Sequence, residues 1–265
     1  MGDLIIIVII IAVIAFFMRV FWSFMVRRTK INLGITQILN DGSHAESMEK
    51  DIEASSNLPF NGSVKASFFA SYLTLRESGL CVDYYTLVNA YLFKWETEGI
   101  LSTKMNGDLI VFPTFSEKSK PTGEIELELY EILNDKAIED GGGLDYGDLA
   151  HWGKKILALG EQELLETGDV AFDQKDRIRF TKQGYQKSLS HSSFEKYFES
   201  LTLSTFSKMD YQRQLQELSF ALLLDLTEEI EALIGENADV LELLQMANRV
   251  WRIFREDREL FLSRN

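Results

Sequence analysis

In residues 83–112, DYYTLVNAYLFKWETEGILSTKMNGDLIVF, a helical period hands over to a strand period. Asp83 stands where it can cap a helix, because its short carboxylate reaches a free amide of the first turn. Leu87-Val88, Tyr91-Leu92 and Trp95 then recur at helical spacing. Gly99 stops the run, being the residue that enters a left-handed conformation at least cost. Residues 100–104 and 109–112 flank Asn106-Gly107, a pair suited to a two-residue hairpin turn. Upstream, residues 64–75 read as a helix with Phe68, Tyr72 and Leu75 on one face. Helices followed by a hairpin are the pattern of a winged helix, and residues 59–120 are expected to form such a unit.

Residues 121–191 repeat the plan. Ile125, Leu129, Ile132 and Leu133 mark one helix, and Asp140 to Gly143 a loop. Leu149, Trp152, Ile156, Leu159 and Leu164 mark a second helical region, expected to break near Gly160 and to end at Gly168. Residues 170–172 and 177–180 are a second hairpin, and Thr181 caps a further helix. Glu96-Thr97-Glu98-Gly99 is echoed by Glu166-Thr167-Gly168 at the same junction. Residues 192–265 are helical in pattern, with an aromatic face at Phe194, Tyr197 and Phe198 and a densely apolar stretch at 215–226. The expected fold is mainly α with small β-hairpins: an N-terminal transmembrane helix, two tandem winged-helix-like units and a C-terminal helical region.

Three motifs carry a resemblance. They are Phe180-Thr181-Lys182-Gln183-Gly184-Tyr185, with its Thr-x-x-Gly step, the aromatic step at 194–198, and Leu218-Ser219-Phe220-Ala221-Leu222-Leu223. Together, over residues 58–229, the chain is similar to predicted bacterial membrane proteins whose cytoplasmic part is domain of unknown function 2207. The resemblance implies a membrane context and supplies no catalytic residues. Members commonly carry an extracytoplasmic domain before the first span and further spans after the module. Here three residues precede the first apolar run.

That run is LIIIVIIIAVIAFFM at 4–18, opening with Leu4 and Ile5 and closing near Phe16 and Phe17. After Arg19 the apolar character resumes through Trp22 to Val26. The 23 residues would span about 35 Å as a helix, against a bilayer core of about 30 Å. Arg19 sits late enough to snorkel to the interface. Arg27, Arg28 and Lys30 follow the span, whereas only Asp3 precedes it. The positive-inside rule therefore places the body in the cytoplasm and the N-terminus outside. A cleaved signal peptide would want a basic start and a small-x-small site, and a buried core helix would not need so long an aliphatic run. The expected layout is an anchor at 1–30, in the bilayer through residues 4–26, and a flexible tether at 31–58 reaching about 30 Å.

Composition narrows the function. The chain has 265 residues, 46% hydrophobic and 26% charged, which excludes wholesale disorder. One cysteine, Cys81, excludes an intrachain disulfide and a cysteine zinc cluster. The net charge is -14, of which residues 1–30 contribute +3 and the remainder -17. Nucleic acid is not expected as a partner, since phosphate neutralisation needs clustered Lys and Arg. The would-be reading helices offer only Lys94, and Lys154 with Lys155, among glutamates. His44, His151 and His191 read as surface or capping residues. The loop at 140–143 lacks the Lys-Ser/Thr of a phosphate loop. Eight acids between Gln214 and Asn248 follow no calcium-loop spacing and read as a solvated face or a seat for a basic partner. No cofactor and no metal is expected.

The C-terminal helix turns basic, with Arg252 and Arg255 beside an apolar stripe containing Trp251, Phe254 and Phe261. These are the candidate partner-binding residues, unless the stripe packs inward. The expected function is a membrane-anchored docking module for membrane or cytoplasmic proteins with a basic surface. The alternatives are a membrane-associated enzyme whose site forms only on folding, and an anchored DNA-binding regulator.

Overall fold

The computed structural model describes residues 52–77, 83–106, 109–116, 119–138, 146–173, 176–235 and 240–252. After a short 3-10 turn at Pro59–Gly62 come α1 (Val64–Glu77), α2 (Tyr84–Thr97), β1 (Leu101–Asn106) and β2 (Leu109–Phe115). Next are α3 (Glu124–Ile138), α4 (Tyr146–Glu166), β3 (Val170–Phe172) and β4 (Ile178–Phe180). The remainder is α5 (Lys182–Ser188), α6 (Ser190–Glu199), α7 (Leu203–Phe206), α8 (Tyr211–Leu223), α9 (Thr227–Ile234) and α10 (Glu242–Arg252). Helix predominates, and each sheet is one antiparallel hairpin.

Helix α2 is the centre. Asp83 caps it by accepting the Tyr85 amide. Ten of its fourteen residues are buried, so it has no solvent face of useful width. It packs on α8, α10, α4 and β1, and the buried residues of all these elements join one apolar cluster. Two tryptophans anchor that cluster, Trp95 on α2 and Trp152 on α4, both fully buried. A buried indole N–H needs an acceptor, and the first turn of α3 supplies both. Trp152 donates to the Ile125 carbonyl at 2.9 Å, and Trp95 reaches the Glu126 carboxylate at 3.5 Å.

Both helix-to-hairpin junctions close in the same way. Gly99 has φ +69° and Gly168 φ +71°. The Gly99 amide bonds the Glu96 carbonyl and the Ile100 amide bonds Trp95. Gly168 bonds Leu165 and Asp169 bonds Leu164 in the same pattern, the paired bonds of a Schellman cap. The sequence echo at these two points is therefore an echo of geometry.

Several expectations are corrected. Helix α4 runs unbroken through Gly160. That glycine is a contact point: a Cβ there would stand 2.4 Å from the Lys65 carbonyl oxygen and 2.7 Å from Phe69 Cβ. Helix α1 packs against α4 over this smooth spot, so the glycine serves packing between helices rather than a break. In the first hairpin the register pairs Asn106 with Leu109, which puts Asn106 in the strand and not in the turn. On α1 the fully buried side chains include Phe69 and Leu73, while Tyr72 and Leu75 are half-buried. The stretch read as tether ends early, because residues 52–58 lie along the body. There the Ser55 amide donates to the Ser193 carbonyl at 3.0 Å, and Lys196 Nζ donates to the Ile52 carbonyl at 3.0 Å.

No helix among the described residues is long and apolar enough to cross a membrane. The expected anchor residues, Leu4 to Lys30, lie outside the described residues, as do Cys81 and the loop at 140–143.

The glycines separate two kinds of cost. Gly160→Ala should lower stability by about 1–3 kcal/mol, because the added methyl meets backbone that cannot move aside. Gly168→Ala, whose Cβ meets nothing within 4 Å, should lose only the ~1 kcal/mol of forcing alanine to positive φ. Thermal melts of the two variants check the order.

Candidate functional site

Helix α6 carries the structure's main polar features. It begins at Ser190, directly after α5, and its apolar side buries Phe194 and Phe198. The Phe194 ring packs edge-on to Phe220 of α8, with centroids 6.3 Å apart. Its C-terminal end faces α9 across a cleft of about 220 Å³, lined by Phe198, Glu199, Leu201, Glu228, Glu229 and Leu233, with Ala232. Phe198 and Leu233 are buried and form a floor. The three glutamates form the rim.

The rim is charged for a local reason. Leu226 gives α9 no side-chain cap, and Glu228 and Glu229 occupy its first turn, where carboxylates complement the free amides. Glu199 adds a third negative charge from α6. Burial pushes the Glu229 carboxyl upward, a hydrogen bond from its own backbone amide pulls it back, and the like charges of Glu199, Glu228 and Asp225 add to the rise. No ion pair joins Glu199, Glu228 or Glu229 to a cation among the described residues.

Beside the cleft lies a second, buried network. Glu217 of α8 is 0% exposed. Its Oε1 accepts from Tyr197 at 2.9 Å and from Arg213 Nε at 2.6 Å, while Oε2 is buried without a partner among the described residues. Burial pushes the Glu217 carboxyl above the ordinary range, against the pull of Arg213 and Tyr197. The same burial, with the neighbouring carboxylate, pushes the Tyr197 phenol up to about 12. The opposite nitrogen of the Arg213 guanidinium, Nη2, donates to the Ser56 carbonyl. Glu217 departs from the solvated face expected of the acidic stretch after Gln214. The sequence signal for it is Arg213, four residues earlier on a helix about to turn apolar at Leu218.

His191 also departs from expectation. The residue opens α6, but its ring packs edge-on against Phe60, with centroids 5.5 Å apart, and Nε2 is buried without a partner among the described residues. Burial lowers the imidazole from 6.5 to about 4. His151 is exposed. Among the described residues no group of His, Cys, Asp and Glu is placed to hold a metal ion.

The C-terminal candidates divide. On α10, Leu243, Leu244, Met246, Ala247 and Val250 are buried against α9, α2, α8 and β1. Arg249 pairs with Glu96 of α2 at 3.1 Å. The stripe thus packs inward as far as Val250. Trp251 is half-buried against the core and Arg252 exposed, while Phe254, Arg255 and Phe261 lie outside the described residues. Two of the three cations on the would-be reading helices are paired, Lys94 with Glu126 at 3.0 Å and Lys155 with Glu128 at 2.8 Å, and Lys154 is exposed. No protein-family model, curated protein or solved structure matches this chain.

The two buried titrating groups give opposite pH signatures. His191, with its pKa lowered to about 4, contributes stability that is present above 6.5 and lost as pH falls toward 4, on the order of 3 kcal/mol. Glu217, raised from 4.5, costs stability as pH rises above that value and its buried carboxyl must ionise. Melting temperature measured against pH should show the acid loss disappear in His191→Phe and the loss on raising pH disappear in Glu217→Gln.

Proposed function

We propose that the chain is a single-pass, membrane-anchored docking module whose cytoplasmic body receives a basic, partly apolar segment of another protein in the cleft between α6 and α9. The observation that carries this is the cleft itself: an apolar floor under three glutamates that no described cation neutralises. An arginine or lysine beside an aliphatic side chain satisfies both parts. The acidic body would also steer such a partner on approach.

The rest of the reading is drawn from sequence and packing. The anchor rests on residues 4–26 and the basic flank at Arg27, Arg28 and Lys30. The two winged-helix-like units are supported by their matching Schellman caps and hairpins. The kinship with domain of unknown function 2207 rests on the three motifs quoted above. The Thr-x-x-Gly step among them serves packing. A Cβ at Gly184 would stand 1.7 Å from the Asp169 carbonyl oxygen, and Thr181 accepts the Gly184 amide, so this glycine lets α5 sit on the second junction. DNA is disfavoured as a partner because α2 is buried on its flanks and its one lysine is paired. A second reading, an enzyme, draws on one observation, the raised Glu229 carboxyl in a cleft.

A fluorescein-labelled peptide of alternating arginine and leucine should bind the full chain in detergent, more weakly as salt rises. Glu199→Gln, Glu228→Gln and Glu229→Gln together should weaken it about tenfold, the combined effect expected of three charge contacts at a cleft rim. Anisotropy titration measures this. An unchanged affinity in the triple variant contradicts the cleft as the docking site.

A further inference from the structure

The segment at 52–58 is held in an unusual way. Every described bond between it and α6 or α8 is made to its main chain. Lys196 takes the Ile52 carbonyl, Ser193 accepts the Ser55 amide, and Arg213 takes the Ser56 carbonyl. The side chains of Glu53, Ala54, Ser56 and Asn57 are exposed. Ile52 and Ser55 are half-buried, Leu58 packs against the core, and full burial begins at Pro59 and Phe60. There the Pro59 carbonyl accepts Ser67 Oγ at 3.3 Å and the Phe60 ring lies on His191. Phe60 and Asn61 both have positive φ, 46° and 56°, a left-handed pair of non-glycine residues that the buried Phe60 ring holds in place. The clamp is equally specific. Arg213 is aimed at the segment by Glu217, the fully buried carboxylate it pairs with at 2.6 Å.

We propose that residues 52–57 are a releasable strap, latched by Arg213 and Lys196 and hinged just ahead of the packed Leu58 and buried Pro59–Phe60, whose opening lengthens the chain ahead of the body and frees both cations of their main-chain partners. Because exposed side chains predominate in residues 52–57 and Leu58 stays packed on the core, the strap opens without unfolding the core. Each freed residue adds at most about 3.5 Å of reach. The strap stands independently of the cleft: it draws on backbone bonds, and the cleft on charge and shape.

Hydrogen exchange on the full chain tests it, read at the Ser55 amide and at buried amides of α2. In the native protein Ser55 should exchange at least tenfold faster than the α2 core, since opening is local. Arg213→Ala should speed Ser55 at least tenfold further and also speed α2, because it strips the buried Glu217 of its cation, with Arg213→Lys intermediate at both. Lys196→Ala, a change at an exposed residue that leaves the core untouched, should speed Ser55 alone. Exchange of Ser55 at the α2 rate would overturn the proposal, because the strap would then move only with global unfolding. Equal Ser55 exchange in native protein and Lys196→Ala would overturn it as well, because the latch would then hold nothing.

Discussion

Everything else in the body is arranged around burying α2. A helix with ten of fourteen residues out of water needs neighbours on every side, and the chain supplies them from distant parts of the sequence. Helices α8 and α10 cover it from the C-terminal region and α4 from the second hairpin unit. Its last turn is tied by Lys94 to Glu126 and by Glu96 to Arg249. This is why the first helix–hairpin unit does not stand apart from the rest: its central helix is completed by others.

Close approach between helices is secured by absent side chains. At Gly153 a Cβ would meet the Tyr84 ring at 2.2 Å, and at Gly160 the backbone of α1. Polar groups are handled by pairing across elements. The two indoles find α3, and Glu217 finds Tyr197 and Arg213. Removing one member of a buried charged pair is costly because it leaves the other without a partner. The Glu217 network therefore fixes how α6 sits on α8, and with it one wall of the cleft.

Much of this is legible in the sequence where the signal is local. The Asp83 and Thr181 caps, the glycines at 99 and 168, both hairpins and the apolar stripe of α2 follow from spacing within a few residues, and the structure has them. What is not legible depends on contacts far apart in the chain. Gly160 looks like a helix breaker until Lys65 and Phe69 are opposite it. His191 looks like a capping residue until Phe60 covers it, and Glu217 like one of many surface acids until Tyr197 reaches it. The cleft is not foreseeable as a place, since its walls are α6 and α9, although the acidic run that supplies two of its rim residues stands out in the sequence. The basic C-terminal stripe reads as a possible docking face, and its described part is spent on the core.

If an anchored acidic body receives a basic segment at the α6–α9 cleft, in-cell photo-crosslinking from a photoreactive residue placed at Ala232, followed by mass spectrometry, will trap that segment. The full chain should capture a reproducible set of membrane proteins, joined to Ala232 through Lys- or Arg-rich segments, and both a version lacking residues 1–30 and the triple glutamine variant should lose it. Capture that is the same with and without residues 1–30, or that survives loss of all three glutamates, would contradict this reading.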